Sequence, residues 1–404
     1  MMDLSKKDIS FIQPSRNNLK YLKWSYDSIR KNAGDEPTIC VADDFSNDGT
    51  WEWCVKMMTI DPNFKAIRNE GPTRLGHTIL YDRLINEVAT TKVVGIYHAD
   101  MWLCPGALES VLKYIKPMTV VSLTRIEPDL HPPGPEKVLI KNAPTEPEDF
   151  DESWFMEFFN NYISEVKGKT TEGIFAPWFI YKEDFTSIGG HDPLYAPQSK
   201  EDSDIFNRFM LNGYNFVQTW EGCVFHLTCR GSRFNPTITN VGQNSNEWQN
   251  QNIRSTRNFI RKWGHFVKHD KYMKPIIPHK YNIGFVVKNC TIDRLRFLEV
   301  FCDNIYTDTS WEDVTMYVKE EKSNTPYDLS DRIRSIEEAP KNDVIVYIDG
   351  NLITNGSQET GMIQMIPEIL DANNLEVGEY ELGNIRVKVN TIKTYDSDLI
   401  VLEK

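Results

Sequence analysis

Residues 37–50 read PTICVADDFSNDGT, and their order decides the fold. An apolar run, Pro37–Ala42, ends in two carboxylates, Asp43 and Asp44. It then breaks at Asn47-Asp48-Gly49 before the helix-like stretch Thr50–Met58. A short apolar run that stops at a polar turn and feeds a helix is the repeating unit of a parallel sheet. The same unit recurs on both sides. Upstream, Ile9–Gln13 predicts a strand, followed by a helix with Leu19, Leu22, Tyr26 and Ile29 at helical spacing. Downstream, Ile79–Val88 and Leu108–Ile115 predict helices, while Val93–Tyr97 and Met118–Leu123 predict strands. The expected class is α/β: a mostly parallel sheet with helices on both faces.

From Arg125 to about Asp151 the chain turns irregular and proline-rich, as in His131-Pro132-Pro133-Gly134-Pro135, and predicts a long lid or binding loop. Order returns with an aromatic helix around Trp154–Tyr162, a strand over Phe175–Tyr181 and a helix over Asp204–Leu211. Prolines and charges in Lys274–His279 mark a linker. We therefore expect one domain over residues 1–270 and a smaller C-terminal α/β domain over 280–404. In the second, Asn282–Val287, Val344–Ile348, Tyr380–Val389 and Leu399–Leu402 predict strands, and Ile292–Phe301 and Ile363–Leu370 helices.

Lys and Arg number 45 against 58 Asp and Glu, a formal net charge of −13. That balance disfavours a broad phosphate-tracking surface for nucleic acid. It leaves room for a small phosphate pocket where a metal or two arginines reverse the local sign. No run approaches the ~18–20 apolar residues of a membrane span, and Met1–Phe11 lacks a signal-peptide pattern. The 7 cysteines form no Cys-x-x-Cys pair, which suits reduced thiols and a cytoplasmic location. Cys223 and Cys229 alone make a poor zinc site.

Four constellations carry possible chemistry. Asp43-Asp44 ends a strand, where open α/β sheets bind ligands and where a carboxylate can accept bonds from a base or ribose. Ser46 and Asp48 read equally as turn and helix caps. His98-Ala99-Asp100 follows the strand Val93–Tyr97, a place for an oxygen ligand to Mg²⁺ or Mn²⁺, or simply a solvated strand end. Gly189-Gly190-His191-Asp192 precedes Glu201-Asp202-Ser203-Asp204, which offers either a general base or charge complementing a helix N-terminus. His226 follows the apolar Cys223–Phe225 and precedes Arg230 and Arg233. It reads as a metal ligand or a structural histidine, and the arginines as a phosphate clamp or a solvated face.

Taken in order, these four motifs resemble the family 2 glycosyltransferases of the GT-A fold, over about residues 8–235. The resemblance implies that Pro14-Ser15-Arg16, Asp43 and Asp44 touch the nucleotide of a UDP-, GDP- or dTDP-linked sugar, with Arg74, His98, Ala99, Arg230 and Arg233 on the same donor side. It implies that Asp100 and His226 hold Mn²⁺ or Mg²⁺ on the diphosphate. Asp202 becomes the base for an inverting transfer to a glycan or other hydroxyl acceptor, with Glu201 as its neighbour. Trp178, Gly190 and His191 fall on the acceptor side, where the aromatic Trp154–Phe159 and the Arg125–Asp151 loop are further candidates. One departure stands out: His98 replaces the first acid of the family's Asp-x-Asp.

Two other functions compete. The departure at His98 suits a binding protein that keeps the donor fold without turnover. A sugar-phosphate nucleotidyltransferase would carry a glycine-rich phosphate loop near its N-terminus, and Phe11–Asn18 contains no glycine. No Gly-x-Ser-x-Gly elbow or Walker-type loop is present.

Overall fold

The computed structural model describes residues 4–228, 230, 244–373 and 376–400. They form two compact units: the described residues up to 250 with 269–275, and 251–268 with the described residues from 276 on.

The first unit is built on a ten-stranded sheet. Its strands are β1 (Ile9–Ser15), β2 (Thr38–Asp44), β3 (Phe64–Asn69), β4 (Val93–Ile96), β5 (Met101–Leu103), β6 (Thr119–Pro128), β7 (Lys137–Ile140), β8 (Thr170–Thr171), β9 (Trp178–Tyr181) and β10 (Asn215–His226). The order is β3-β2-β1-β4-β9-β6-β10-β5, with β7 beside β6 and β8 beside β10. β3, β2, β1 and β4 run parallel, as do β10, β6 and β7. β9 is antiparallel to both β4 and β6, so the sheet is mixed where the two parallel halves meet.

β1 and β2 are buried at every position, which is why both read as continuous runs and not as alternations. Their side chains still divide by parity. Ile9, Phe11, Ile39, Val41 and Val93 join Leu22, Ile29, Cys54 and Leu108 on one face of the sheet. Ile12, Cys40, Ala42, Val94 and Ile96 join Leu80, Phe185, Ile205 and Phe209 on the other. The first face is covered by α1 (Leu19–Ala33), α2 (Thr50–Ile60) and α4 (Ala107–Tyr114). The second is covered by α3 (Gly76–Arg83), α6 (Lys182–Ser187) and α7 (Glu201–Leu211). An aromatic helix, α5 (Glu152–Val166), packs Phe155 and Phe159 into a third cluster with Trp102 and Phe225.

Close packing leaves no room for a side chain at Gly95 in β4. A Cβ there would lie 2.2 Å from Cε1 of Phe179, itself fully buried and edge-on to Phe11. Gly95→Ala is expected to cost about 1–3 kcal/mol by overpacking. A melting temperature equal to that of the native chain would contradict this.

Several expectations change. The long irregular loop at 125–151 contains the end of β6 and all of β7, paired from Arg125↔Lys137 to Pro128↔Ile140. Its prolines lie at the strand end and in the connection, where a missing N–H breaks no ladder. β3 and β5 appear where no strand was expected, and β10 extends the short Cys223–Phe225 run to twelve residues.

The second unit carries β11 (Ile283–Lys288), β12 (Asn304–Thr307), β13 (Ile333–Ser335), β14 (Val344–Asp349), β15 (Gly378–Leu382) and β16 (Ile385–Val389), in the order β13-β12-β11-β14-β16-β15. The first four are parallel, and β16 returns antiparallel to β14 and β15. Residues Gln251–Lys268 pack within this unit, through Ile260 in its core, although the sequence assigned them to the first domain. Asp396–Leu399 is a 3₁₀ turn where Leu399–Leu402 was expected to be a strand. Val401 and Leu402, half of that expected strand, lie outside the described residues.

Among the described residues no helix is long and apolar enough to cross a membrane. Cys40, Cys54, Cys104, Cys223, Cys290 and Cys302 are free and buried. Cys229 lies outside the described residues, so the proposed Cys223–Cys229 pair is not described.

Candidate active site

From β1 the chain moves outward through β2 to β3, then returns to place β4 on the other side of β1. That reversal opens a crevice at the carboxyl ends of β1 and β4, the place where open α/β sheets take ligands. Two sets of side chains converge there.

One set lines a cleft: Pro14 and Ser15 at the end of β1 with Arg16 just after it, Asp44 at the end of β2, and Arg74, Gly76 and His77 at the start of α3. Arg16 stacks over Phe45, its guanidinium carbon 4.3 Å from the ring centroid. Arg74 bonds Gln198 at 2.9 Å, and the charge of Arg16 bears on it. Two guanidiniums on one small cleft make a local anion site in an acidic protein. Ser15 Oγ, Arg16 Nε, Arg74 Nε and Thr78 Oγ1 are buried without a hydrogen-bond partner, as suits polar atoms awaiting a polar ligand.

Within this set the two strand-end acids part company. Asp44 accepts from the backbone N–H groups of Leu75 (3.2 Å) and Gly76 (2.9 Å) and from Asn69 Nδ2 (2.6 Å). Its carboxylate therefore holds the start of α3 in place beside the cleft. Asp43 is fully buried, 3.2 Å from Arg68 Nε and bonded to the N–H of Ser46 at 3.1 Å. Asp48 acts as a cap, accepting from Thr50 N and Oγ1 and from Leu19 N.

The second set is a cluster of His98, Asp100 and His226, whose ligand atoms lie within 4.8 Å of one another. Strand register explains how residues so far apart in sequence meet. β5 follows Asp100 directly and pairs antiparallel with β10, placing Met101 opposite His226. The carbonyl of Asp100 accepts from Leu227 N at 3.1 Å, and His226 Nε2 is 3.5 Å from Asp100 Oδ1. β6 runs beside β10 with Ile126 opposite Phe225, so Glu127 comes beside His226 and meets its Nδ1 at 2.7 Å. Arg125 and Lys137 flank Glu127 at 3.1 and 3.4 Å.

Charge follows from this packing. Burial works against a charged His226, but Asp100 and Glu127 outweigh it and push its pKa up to about 9. Burial also opposes the charge of Glu127, yet Arg125 and His226 hold its carboxyl well below the ordinary range. Burial outweighs Asp100 at His98 and pulls it down to about 3, toward the neutral imidazole that binds metal. His77, stacked 6.3 Å from His98, is drawn to about 4, again by burial. The donor set fits a divalent cation: a carboxylate and two imidazoles, one held from behind by a carboxylate.

Glu201 and Asp202 open α7, and their charges bear on buried Tyr81 together with that of Asp100. Ser199 and Lys200 hold left-handed φ values of 80° and 73°, turning the chain sharply into the helix. Burial and the neighbouring Asp202 push Glu201 up to about 8. Asp202 is raised by burial, while His191, Arg125 and Trp178 favour its charge. Asp204 is a structural acid, in a fully buried ion pair with Arg208 at 2.8 Å.

The acceptor-side expectations need correction. Trp178 is fully buried against Phe206 and Phe209, so no face is open to a sugar ring. Its one polar atom, the indole N–H, is the one that favours the charge of Asp202. Gly190 is a packing glycine with φ 67°, and a Cβ there would meet Asp82 Oδ2 at 2.3 Å. His191 is 1% exposed and bonds Asp82 through Nδ1 at 2.8 Å. Of the aromatic helix, Phe155 and Phe159 are core, and Trp154 is exposed. Arg230 is held by the carbonyl of Thr145 and by Glu146 at 3.1 Å, which ties it to the connection after β7. Arg233 lies outside the described residues. Ala99 is buried between the two ligand positions.

Two contributors escaped the sequence: Glu127, next to a proline in a stretch that read as irregular, and His77, whose only sequence cue is its place at a helix start.

Fold and site thus define an α/β domain that brings two guanidiniums and a His-Asp-His cluster able to hold a cation to a topological switch point. Residues 10–183 match the family described as Glycosyl transferase family 2, and this part of the chain is family 2-like, as its motifs imply. The match stops short of Asp202 and His226. No curated protein matches the chain significantly. Solved structures similar to it include the mannosyltransferase PcManGT from Pyrobaculum calidifontis in complex with GDP-Man and Mn²⁺, at 16% identity and TM-score 0.41 over 63% of each chain. Another is GalNAc-T7 with UDP, GalNAc and Mn²⁺, at 14% identity and TM-score 0.42 over 63% of this chain and 48% of that one. S. aureus TarS (1-349) aligns at 14% identity and TM-score 0.39 over 54% of this chain and 59% of its own. The alignments thus span less than two thirds of each of these proteins.

Proposed function

We propose that the chain is an inverting glycosyltransferase that moves a sugar from a nucleoside-diphosphate sugar to an acceptor hydroxyl. The observation that carries this reading is the meeting of His98, Asp100 and His226 beside the cleft of Ser15, Arg16 and Arg74. The buried Asp43–Arg68 pair, next to Ser15 in register, offers the base a paired acceptor and donor. Arg16 and Arg74 take the diphosphate. A divalent cation, Mn²⁺ or Mg²⁺, held by Asp100 and His226 with His98, would add positive charge where the leaving diphosphate gains negative charge. Asp202 accepts the acceptor's hydroxyl proton as its oxygen bonds to the anomeric carbon. The bond from that carbon to the diphosphate oxygen breaks, and its electron pair leaves with the nucleoside diphosphate.

A screen of UDP, GDP and dTDP and their sugars, each with Mn²⁺, tests this. One nucleotide should raise the melting temperature, since a ligand that binds only the folded state stabilises it by mass action. Its sugar conjugate should be hydrolysed slowly without an acceptor. If no nucleoside diphosphate shifts the melting curve, the reading fails. A shift without turnover would favour a donor-binding protein on the same fold.

A further inference from the structure

The cation cluster differs in chemistry from an all-oxygen site. Two of its three donors are imidazole nitrogens, His98 and His226, and Asp100 is the lone carboxylate. The nitrogen of His226 is backed by structure. Glu127 occupies Nδ1 of His226 at 2.7 Å, so the ring's other nitrogen, Nε2, is the one turned to Asp100 at 3.5 Å. The His98 ring lies 5.9 Å from that of His226 and stacks on His77 at 6.3 Å. Its strand-end position is fixed from behind, where Gln13 Nε2 reaches the His98 carbonyl at 3.4 Å. The His226 ring is thus held before any ligand arrives, and the backbone that carries His98 is fixed beside it.

Hard cations such as Mg²⁺ favour carboxylate and water oxygens and dehydrate reluctantly, whereas imidazole suits first-row transition ions. We propose that this cluster is a nitrogen-rich centre selective for a transition cation such as Co²⁺ or Zn²⁺ over Mg²⁺, with His98 as the residue that sets the preference and Glu127 as a positioning residue for His226. This deepens the proposed function by naming the class of cation, and it rests on the same three residues. Replacing His98 by an acid would restore an oxygen donor and move the preference toward Mg²⁺.

The test uses the metal-free full chain without nucleotide. Co²⁺ binding is followed by its visible absorption and by calorimetry, and Mg²⁺ is added in competition. In the native protein a ~100-fold excess of Mg²⁺ should leave Co²⁺ bound. In His98→Asp the ratio of Co²⁺ to Mg²⁺ affinity should narrow at least ~10-fold, and Glu127→Gln, measured at a temperature where the metal-free variant is still folded, should weaken Co²⁺ binding ~10–100-fold. Displacement of Co²⁺ by equimolar Mg²⁺ would overturn the proposal on the native chain alone, whether or not the variants fold. So would an unchanged affinity ratio in a folded His98→Asp. A failed donor screen leaves this selectivity standing. Sugar transfer supported equally by Mg²⁺ and Co²⁺ would overturn it while the transfer reading survives.

Discussion

Asp202→Asn is expected to keep nucleotide binding and to lose about 10²–10⁴-fold in transfer, the usual contribution of a positioned general base. The amide matches the carboxylate in shape but cannot take a proton. The loss should therefore fall on kcat, with the nucleotide-dependent melting shift intact. Its neighbour provides the control. Glu201, pushed up to about 8 by burial and by Asp202, is largely protonated at neutral pH. Glu201→Gln keeps that neutral form and should hold activity within about tenfold. Asp202 is raised too, though His191, Arg125 and Trp178 favour its charge. The acid limb of the rate profile should thus lie above the ~3.9 of an ordinary aspartate, with activity lost as pH falls through it. If Asp202→Asn turns over within tenfold of the native chain, Asp202 is not the base. If Glu201→Gln loses as much as Asp202→Asn, the two roles are exchanged.

How much of this was legible depended on how far each contact reaches along the chain. β1, β2 and β4 were readable because strands buried on both faces must be apolar throughout, and Asp43, Asp48 and Gly49 punctuate the turn that follows. β3 was not: its sequence FKAIRN mixes charge with apolar residues, because it lies at the sheet edge and only Phe64 is buried. β5 has three residues, too few for any period to register. β10 is interrupted between Thr219 and Cys223 by a register shift, so only its apolar end stood out.

The cation cluster shows the limit more sharply. Asp100 and His226 were found through the order of motifs, which ranks residues by resemblance and gives no distances. Their meeting depends on β5 pairing with β10, and the place of Glu127 depends on β6 lying beside β10. Neither pairing leaves a local mark. The same holds for Trp178, which read as a sugar-stacking aromatic because a sequence does not tell a buried face from an open one. His98 read as a missing acid, whereas the packed cluster sets its ring beside Asp100 and His226 as a possible donor.

The second unit, with no motif to identify it, yields the clearest stability prediction. Glu299 is fully buried where β12's approach meets the helix carrying Arg257 and Arg261. Arg261 donates to both of its oxygens at 2.9 Å, Tyr317 donates at 2.8 Å, and Arg257 and Arg332 each stand 3.3 Å away. Glu321 shares Arg261 at 2.8 Å. Three guanidiniums thus face two carboxylates out of water, and deleting one carboxylate leaves a buried cation uncompensated. Glu299→Gln, nearly equal in volume, is expected to destabilise this unit by about 3–5 kcal/mol. Burial opposes the charge on Glu299, but Arg261 and its neighbours hold the carboxyl below the ordinary range. Its contribution is therefore fully present above the unfolded pKa of ~4.3 and is lost as pH falls through the lower folded value. Acid should unfold the native unit with a pH dependence that Glu299→Gln lacks. Hydrogen exchange over residues 251–268 and 276–373 measures the loss within this unit. Unchanged protection there in the variant at pH 7 would show that the arginines find water instead, and that the network contributes little.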